Sequence, residues 1–208
     1  ASRMLTYWLG HVAIEGRDNV PTKGPVLIAP THVNALDPFV VGATLGRPVW
    51  YMSKAEMFSF PLLGIVMKAL NAFPVRRGQI DRGAIRKSLG LLQSGDALLL
   101  FPEGTRNKHR YLRPAQLGVA LLSMKTGTPI VPTAVFGTDR MMPEGALFPR
   151  PSRVEVHFAS PIHPGDYGAS NARRADLSRL AEELMRVLSE MTGRPYRAGP
   201  ARGERSER

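Results

Sequence analysis

The sequence predicts a single α/β domain with a mostly parallel, partly mixed sheet flanked by helices. Short apolar runs alternate with stretches whose apolar residues recur at helical spacing, which is the pattern of an α/β domain. Most of the short runs are apolar on both faces, which favours a covered, largely parallel sheet. The chain has 208 residues, enough to bury one full-sized core.

Five apolar runs are predicted to be strands. In chain order they are Val26–Pro30, Pro48–Met52, Ala97–Phe101, Ile130–Phe136 and Arg153–Phe158. Three further stretches have apolar residues at helical spacing and are predicted to be helices. These are Asp81–Gln93, Pro114–Lys125 and Ala172–Met191. The last of them is followed by Gly193 and Pro195, a normal signal for the end of a helix.

The segment Phe58–Phe73 is apolar almost all round, and Lys68 and Asn71 are its strongly polar residues after Ser59. A helix that is hydrophobic on every side is usually buried, and we favour that interpretation here. The alternative is an apolar surface or tunnel that meets lipid. The exposure of this segment decides between the two.

The C-terminal residues differ in composition from the rest of the chain. From Arg194 onward there are five Arg and two Glu with almost nothing apolar, so residues 194–208 are predicted to be a basic, disordered tail. Residues 1–193 are predicted to form the folded domain. The tail contributes +3 to a net charge of +11, which leaves about +8 on the domain.

A net charge of +11 predicts an anionic partner: nucleic acid, a phospholipid surface or a phosphorylated metabolite. The charge alone does not choose among them. The chain has no cysteine, which excludes disulfides and thiolate chemistry. It contains no run of 18 apolar residues and no signal-peptide cleavage pattern, so neither a transmembrane helix nor a signal peptide is predicted.

The first candidate site is the segment THVNALDP, which follows the predicted strand Val26–Pro30. The Asp-Pro pair predicts a helix start with Asp37 as N-cap and Pro38 as first helical residue. In a strand-to-helix loop, Asp37 can fold back onto His32 and fix its tautomer, which leaves the other ring nitrogen free as a base. The alternative is a capping Asp near an unrelated His, and these two residues alone do not decide.

Two further segments offer phosphate-binding chemistry. In FPEGTRN, which ends the predicted strand Ala97–Phe101, Gly104 allows close approach of a ligand and Arg106 can grip a phosphate through two parallel hydrogen bonds. The alternative is a surface turn with a solvated Arg. Arg76 and Arg77, followed by Gly78, are either a second phosphate cradle or a charged edge.

Each segment is weak evidence alone, but their order is specific. GPVLIAPTHVNALDP, MSKAEMF, AFPVRRG, LLLFPEGTRN and PIVPTAVFG occur in that order along the chain. Together they closely resemble the glycerolipid acyltransferase family, from about Val12 to Pro161. Members of this family transfer fatty acyl groups to 1-acyl-glycerol-3-phosphate or related acceptors.

The resemblance implies a role for each matching residue. His32 would be the general base, and Asp37 the carboxylate that orients it. The residues implied to bind substrate are Asn34, Arg77, Glu103, Gly104, Thr105 and Arg106. Arg77 and Arg106 would hold the acceptor's phosphate. Backbone amides near Asn34 or Gly104 are candidates for stabilising the oxyanion.

The chain departs from the family pattern at two informative places. Thr31 stands where Asn usually precedes the histidine. Arg76 and Arg77 stand where Asp-Arg is common, which puts a positive charge beside the expected phosphate site. Acceptor preference is therefore the property that this change affects.

The resemblance implies transfer of a fatty acyl group from acyl-CoA or acyl-carrier protein to the free hydroxyl of 1-acyl-glycerol-3-phosphate, giving phosphatidic acid. The reaction needs no metal and no cofactor beyond the donor's carrier. We expect a peripheral protein at an anionic membrane surface, on the cytoplasmic face of the cell membrane. Another lysophospholipid or a non-phosphorylated acceptor is an open alternative.

Other classes of function fit the sequence less well. An esterase or lipase of the α/β-hydrolase type would carry G-x-S-x-G, which is absent from the sequence. A nucleic-acid-binding protein fits the charge, but the basic residues are scattered and no known recognition pattern occurs. The sequence has neither G-x-x-x-x-G-K-[ST] nor G-x-G-x-x-G, the phosphate loops of nucleotide-binding enzymes.

Overall fold

The structure, a computed structural model, describes residues 12–76, 81–146, 148–168 and 173–197. Seven strands in these ranges form one sheet. They are β1 (Val12–Glu15), β2 (Val26–Pro30), β3 (Val49–Lys54), β4 (Ala72–Val75), β5 (Ala97–Leu99), β6 (Ile130–Phe136) and β7 (Val154–Phe158). Their order is β1-β7-β6-β2-β5-β3-β4, and every neighbouring pair is parallel except β6 with β7. The predicted α/β domain with a mostly parallel, partly mixed sheet is confirmed.

In the described part of the chain, six helices flank or border this sheet. They are α1 (Asp37–Thr44), α2 (Pro61–Ala69), α3 (Arg82–Gln93), α4 (Gly118–Thr126), the short α5 (Thr138–Met141) and α6 (Arg174–Thr192). Single 3₁₀ turns lie at Arg17–Asn19, Ala55–Phe58 and Pro164–Asp166. Within the described ranges, none of the helices combines the length and the apolar character that crossing a membrane requires.

The core has one layer on each face of the sheet. Alternate residues of β2 divide between the layers: Val26 and Ile28 pack toward α1, whereas Leu27 and Ala29 pack toward α3, α4 and α6. All five residues of β2 are buried. This two-sided burial explains why the strand is a continuous apolar run rather than an alternating one.

Most predicted elements are present with small differences at their ends. β2 and β6 have the predicted bounds, and β3, β5 and β7 differ by one or two residues at an end. Helix α4 begins four residues later than predicted, at Gly118. The amides of Leu112 and Gln116 donate to the carbonyls of Pro195 and Pro102, so the backbone before Gly118 is engaged outside a helix. Strands β1 and β4 were not predicted.

The prediction of a buried helix over Phe58–Phe73 is wrong. Helix α2 covers nine residues of this segment, and of these only Gly64 and Met67 are buried. Asn71 follows it with a φ of 60°, a left-handed conformation that Asn tolerates, and turns the chain into β4. One narrow side of α2 therefore meets the core, and its other sides are exposed.

Part of the segment that composition assigns to the tail pairs with the domain. The amide of Leu112 donates to the carbonyl of Pro195, and the amide of Arg197 donates to the carbonyl of Leu112. A segment read as polar tail is thus fixed by backbone pairing, which composition does not reveal. Residues 1–11 of the predicted domain and residues 198–208 of the predicted tail lie outside the described residues.

Candidate active site

His32 and Asp37 are in direct contact at the carboxyl edge of the parallel strands. His32 Nδ1 lies 2.9 Å from Asp37 Oδ2, and both side chains are buried. The imidazole stacks on the ring of Phe101, which follows β5, with 3.8 Å between the ring centroids. Nε2 makes no hydrogen bond within the described part of the chain. The pair therefore presents one free ring nitrogen, and the alternative of a capping Asp beside an unrelated His is wrong.

The carboxylate of Asp37 is completely surrounded by donors. Oδ2 accepts from the amides of Val33 at 2.7 Å and Asn34 at 2.8 Å, besides facing His32 Nδ1. Oδ1 accepts from Thr138 Oγ1 at 2.6 Å. A buried charge is tolerated when it is hydrogen-bonded in this way. Because the carboxylate can only accept, the proton of the imidazole is assigned to Nδ1, and Nε2 is left with a lone pair.

The predicted N-cap role of Asp37 is wrong. Leu36 is the N-cap of α1, and Asp37 is its first residue. The amides that donate to the Asp37 carboxylate belong to Val33 and Asn34, in the loop before the helix. The Asp-Pro pair does begin the helix as expected, but the side chain organises the loop that carries His32.

The backbone amides of Asn34 and Gly104 themselves are both engaged within their loops. The amide of Asn34 donates to Asp37 Oδ2, and the amide of Gly104 donates to the carbonyl of Phe101 at 3.0 Å. The side chain of Asn34 is also engaged, since Nδ2 donates to the carbonyl of Met142 and Oδ1 accepts from the amide of Leu36. Asn34 thus holds its own loop in place, and its predicted contact with substrate stays a prediction.

The FPEGTRN segment forms a loop beside His32. Glu103 is 4% exposed, and its Oε2 accepts from Asn107 Nδ2 and from the amide of Arg113. Arg113 Nε lies 3.7 Å from the same oxygen. Oε1 is buried and has no hydrogen-bond partner among the described residues. Glu103 therefore holds the loop together from inside, and its predicted role in positioning the acceptor stays a prediction.

Asn107 joins this loop to the His32–Asp37 pair. Its amide donates to the carbonyl of His32 at 2.6 Å while its side chain contacts Glu103. Gly104 has a φ of 71°, and a Cβ at this position would lie 3.0 Å from Gln116 Cγ, so the tight turn requires glycine. Thr105 is half-buried, and its carbonyl accepts from Arg113 Nη2 at 3.1 Å.

A cavity of about 910 Å³ opens next to the loop that carries His32. Thr31 and Asn34 contribute to its lining from that loop. Its cationic lining residues are Arg106, Lys108, Arg110, Arg140 and Arg194, and its acidic ones are Asp139 and Glu144. A hydrogen bond from Lys108 lowers the pKa of Glu144 and keeps that carboxylate paired with Lys108. The excess of cations makes the cavity suited to an anionic group.

Arg106 is exposed in this lining, and its guanidinium makes no hydrogen bond or ion pair within the described residues. This is the placement expected of a residue that holds a phosphate. Arg77, the other predicted phosphate ligand, lies outside the described residues. Next to it, the amide of Arg76 donates to Asp81 Oδ2 at 3.0 Å, and Asp81 Oδ1 caps α3 through the amide of Ala84.

Three residues near the site were not assigned a role from sequence. Thr138 contacts Asp37, Arg113 contacts Glu103, and Arg194 donates through Nη2 to the carbonyls of Asn107, His109 and Tyr111. Thr138 follows the predicted strand Ile130–Phe136 at the same sheet edge as His32, a signal that could have identified it. Nothing in the sequence pattern singles out Arg113 or Arg194.

Comparison with known proteins gives two groups of relatives. The chain is 32% identical to a chloroplastic 1-acyl-sn-glycerol-3-phosphate acyltransferase of Brassica napus over 185 residues, which are 85% of this chain and 49% of that protein. It is 26% identical to the 1-acyl-sn-glycerol-3-phosphate acyltransferase of Bacillus subtilis over 192 residues, 92% of this chain and 93% of that protein. The chain thus spans about half the length of the plant relative and nearly all of the bacterial one.

A solved structure has the same fold. The 1-acyl-sn-glycerophosphate acyltransferase PlsC from Thermotoga maritima superposes with a TM-score of 0.72, covering 92% of this chain and 76% of that chain at 22% sequence identity. The Acyltransferase family matches residues 11–136, which contain the His32–Asp37 pair and the loop from Glu103 to Asn107. That match covers more than half of the sequence, and the chain therefore belongs to the Acyltransferase family.

Proposed function

We propose that this chain transfers a fatty acyl group from an acyl-CoA or acyl-carrier-protein thioester to the free hydroxyl of 1-acyl-glycerol-3-phosphate, giving phosphatidic acid for phospholipid synthesis. The observation that carries the proposal is the buried contact of 2.9 Å between His32 Nδ1 and Asp37 Oδ2, which leaves Nε2 free. The relatives from Brassica napus and Bacillus subtilis are both named as 1-acyl-sn-glycerol-3-phosphate acyltransferases, which supports the same reaction.

The first chemical step uses His32 as the general base. Nε2 takes the proton of the acceptor hydroxyl while its oxygen attacks the thioester carbonyl carbon. The imidazolium that forms is stabilised by Asp37, whose Oδ2 already faces Nδ1. General base catalysis of this kind typically contributes about 10²–10⁴-fold in rate.

The second step returns the proton. The tetrahedral intermediate collapses, the carbon–sulfur bond breaks, and the departing thiolate takes the proton from His32 Nε2. The products are the ester and the free thiol of the carrier, and His32 is again neutral. The chain has no cysteine, so direct attack by the acceptor is the simplest route and no thiol acyl-enzyme can form.

Charge supports a phosphorylated acceptor. The cavity beside the His32 loop is lined by five cationic and two acidic side chains, and one of the acids is paired with Lys108. We propose that Arg106 and Arg77 hold the phosphate of the acceptor, because a guanidinium binds phosphate through two parallel hydrogen bonds. Glu103 would then position the acceptor by holding the FPEGTRN loop through Asn107 and Arg113, since its carboxylate is buried and does not line the cavity.

We also propose that the protein works as a peripheral protein at the cytoplasmic face of the cell membrane, since its acceptor is a lipid. The net charge of +11 supports attraction to anionic phospholipid. The acyl donor in this proposal is either acyl-CoA or acyl-carrier protein. Acyl-carrier protein would then be a protein partner.

The experiment that tests the proposal identifies the product with defined acceptors. The purified chain is incubated with a radiolabelled long-chain acyl thioester, carried by CoA or by acyl-carrier protein, and one of three acceptors. These are 1-acyl-glycerol-3-phosphate, a lysophospholipid with a choline headgroup, and 1-acylglycerol. We expect labelled phosphatidic acid and little product from the other two acceptors. Labelled free fatty acid formed equally with and without acceptor would instead identify a thioesterase.

A further inference from the structure

The exposed hydrophobic side chains of this protein are concentrated in one place. Eight large hydrophobic side chains are exposed in the described residues, and six of them lie between residues 57 and 70. These six, which we call the apolar patch, are Met57, Phe60, Leu62, Ile65, Val66 and Leu70. Leu62 is 80% exposed and Ile65 is 66% exposed. An exposed apolar patch of this kind marks an interaction surface.

The patch is held firmly by the opposite side of α2. Met67 is buried in the core layer that also contains Val40 and Val41 of α1, and Leu63 packs against the same layer. A Cβ at Gly64 would lie 2.9 Å from the carbonyl oxygen of Phe58, so the helix rests directly on the preceding 3₁₀ turn. Helix α2 therefore packs against the core and the preceding 3₁₀ turn through one side, and it leaves the apolar patch exposed on its other sides.

The patch also begins next to the proposed active site. The 3₁₀ turn Ala55–Phe58 and then α2 follow directly from the carboxyl end of β3. This is the edge of the sheet at which His32 and Asp37 lie, because β2, β5 and β3 are parallel neighbours. A surface that binds the patch would thus lie toward the same edge of the sheet as His32 and Asp37.

The charged residues between the two acids that bracket the patch, Glu56 and Asp81, are all positive. Between Glu56 and Asp81 the sequence contains no acidic residue. Its charged residues in that interval are Lys68, Arg76 and Arg77, and both Lys68 and Arg76 are exposed. Apolar side chains flanked by cations complement an anionic phospholipid surface, where the chains reach the acyl region and the cations meet the headgroups.

A second copy of the chain fits this surface less well. A two-fold interface would bring the same patch from both copies together, so each copy would add Lys68 to the interface, and no acidic residue lies between residues 57 and 80 to offset that charge. By contrast, α2 has nine residues and is roughly 14 Å long, a length that suits a helix lying flat in the interface between lipid headgroups and acyl chains.

We propose that the apolar patch is the surface by which this protein docks on an anionic phospholipid bilayer, with Leu62 and Ile65 inserted at the boundary between headgroups and acyl chains. The proposal rests on the proposed function, in which the acceptor is a membrane lipid. It goes further by naming the side chains that carry the contact and the edge of the fold that faces the bilayer.

The test compares two variants that each remove exposed hydrophobic area. The patch variant carries Leu62→Ser and Ile65→Ser, and the matched control carries Phe148→Ser, since Phe148 is 81% exposed and lies outside the patch. Co-sedimentation is measured with vesicles of phosphatidylcholine alone and with phosphatidylglycerol mixed in. We expect the wild type and the control to bind the mixed vesicles alike, and the patch variant to bind roughly tenfold or more weakly. Equal binding by all three overturns the proposal.

Charge and activity give independent readouts. Lys68→Ala is expected to reduce binding to the mixed vesicles while leaving binding to phosphatidylcholine unchanged, and loss on both would contradict the electrostatic part. With a short-chain acceptor dissolved as monomers, wild type, control and patch variant should turn over equally. With the acceptor held in vesicles, only the patch variant should lose activity, and undiminished activity there overturns the proposal.

The design separates failure of this proposal from failure of the proposed function. If no protein turns over either acceptor, the proposed function fails, while co-sedimentation still decides the role of the patch. Analytical ultracentrifugation completes the set: a wild-type dimer that the patch substitutions convert to a monomer would identify a self-association surface and overturn the lipid proposal. A monomer in both cases is the result that lipid docking predicts.

Discussion

Thr138 Oγ1 donates a hydrogen bond of 2.6 Å to Asp37 Oδ1, across 101 residues of sequence. Gly137 has a φ of 84° and lies between the end of β6 and Thr138. It is the N-cap residue of α5. Both Thr138 and Asp37 are fully buried. The carboxylate that faces His32 is thus held from its other side by the first residue of α5, the helix that follows the neighbouring strand β6.

Replacing Thr138 should weaken catalysis without affecting acceptor binding. Thr138→Val leaves Asp37 Oδ1 buried without a donor, a cost of about 1–3 kcal/mol that lets the carboxylate reorient. We expect kcat to fall about tenfold with the acceptor KM unchanged, because about 1.4 kcal/mol in the barrier is a factor of ten. Thr138→Ser retains the hydroxyl and should restore most of kcat. Equal activity of the Val and Ser variants would show that this hydrogen bond does not matter.

Arg106 and Arg77 should act on acceptor affinity. Arg106→Ala and Arg77→Ala are each expected to raise the KM for 1-acyl-glycerol-3-phosphate, since each removes charged hydrogen bonds to phosphate worth about 1.5–3 kcal/mol. Arg179→Ala, an exposed cation on α6, is the matched control. Steady-state kinetics with varied acceptor distinguish the cases. A loss of kcat with unchanged acceptor KM would refute the phosphate-binding role.

Arg113 should act through the loop that carries Arg106. Its Nη2 donates to the carbonyls of Thr105 and Arg106, and its guanidinium is ion-paired with the buried Glu103. Arg113→Ala is therefore expected to raise the acceptor KM and to lower the melting temperature together, since it leaves Glu103 without its cation. Arg113→Lys keeps the charge and should recover stability more than affinity. An acceptor KM that stays at the wild-type value in Arg113→Ala would contradict this positioning role.

Tyr51 offers a prediction about stability alone. Its hydroxyl is buried and has no hydrogen-bond partner among the described residues, and burial raises the pKa of Tyr51 from 10.0 to about 12. Tyr51→Phe removes the unpaired hydroxyl and should raise the free energy of unfolding by about 1 kcal/mol near neutral pH. Urea titration with activity as a control measures this difference.

The raised pKa of Tyr51 fixes the sign of its pH dependence. Below pH 10.0 the hydroxyl is protonated in both folded and unfolded chains, so its contribution to stability is fully present. Between pH 10.0 and about 12 the unfolded chain releases the proton first, and stability falls as pH rises. The advantage of Tyr51→Phe over the wild type should therefore grow in that window. A constant difference would show that the hydroxyl ionises equally in both states.

The fold could be predicted where local pattern and burial agree. β2 and β6 are buried on both faces, so their apolar runs mark the strands from end to end. The failure at Phe58–Phe73 has a physical reason: hydrophobicity on all sides normally signals burial, but α2 lies at an outer part of the sheet with one side covered. Pairing of Leu112 with Pro195 and Tyr196 joins distant segments and leaves no trace in composition.

The site could be predicted only in part. The motif residues are recognisable in the sequence, but most of the groups that hold them in place are not. His32 and Asp37 are five residues apart and carry chemistry that is recognisable in sequence, and the structure brings them into contact. Two of the donors to Asp37 are backbone amides and could not be read from sequence, whereas the third, Thr138, is the first residue of α5 and follows the predicted strand Ile130–Phe136 closely enough to have been identified. The sequence likewise does not reveal that the amides of Asn34 and Gly104 are engaged within their loops, and an oxyanion site formed by amides near these residues stays a prediction.

The central claim is that His32 removes the proton of the acceptor hydroxyl. The most direct measurement is the rate of acyl transfer from a radiolabelled acyl thioester to 1-acyl-glycerol-3-phosphate by wild type, His32→Ala and His163→Ala. His163 is an exposed histidine away from the site and serves as the matched control. We expect His163→Ala to equal the wild type and His32→Ala to lose about 10²–10⁴-fold in kcat, with its circular dichroism spectrum unchanged. Transfer by a folded His32→Ala protein at the wild-type rate would contradict the account.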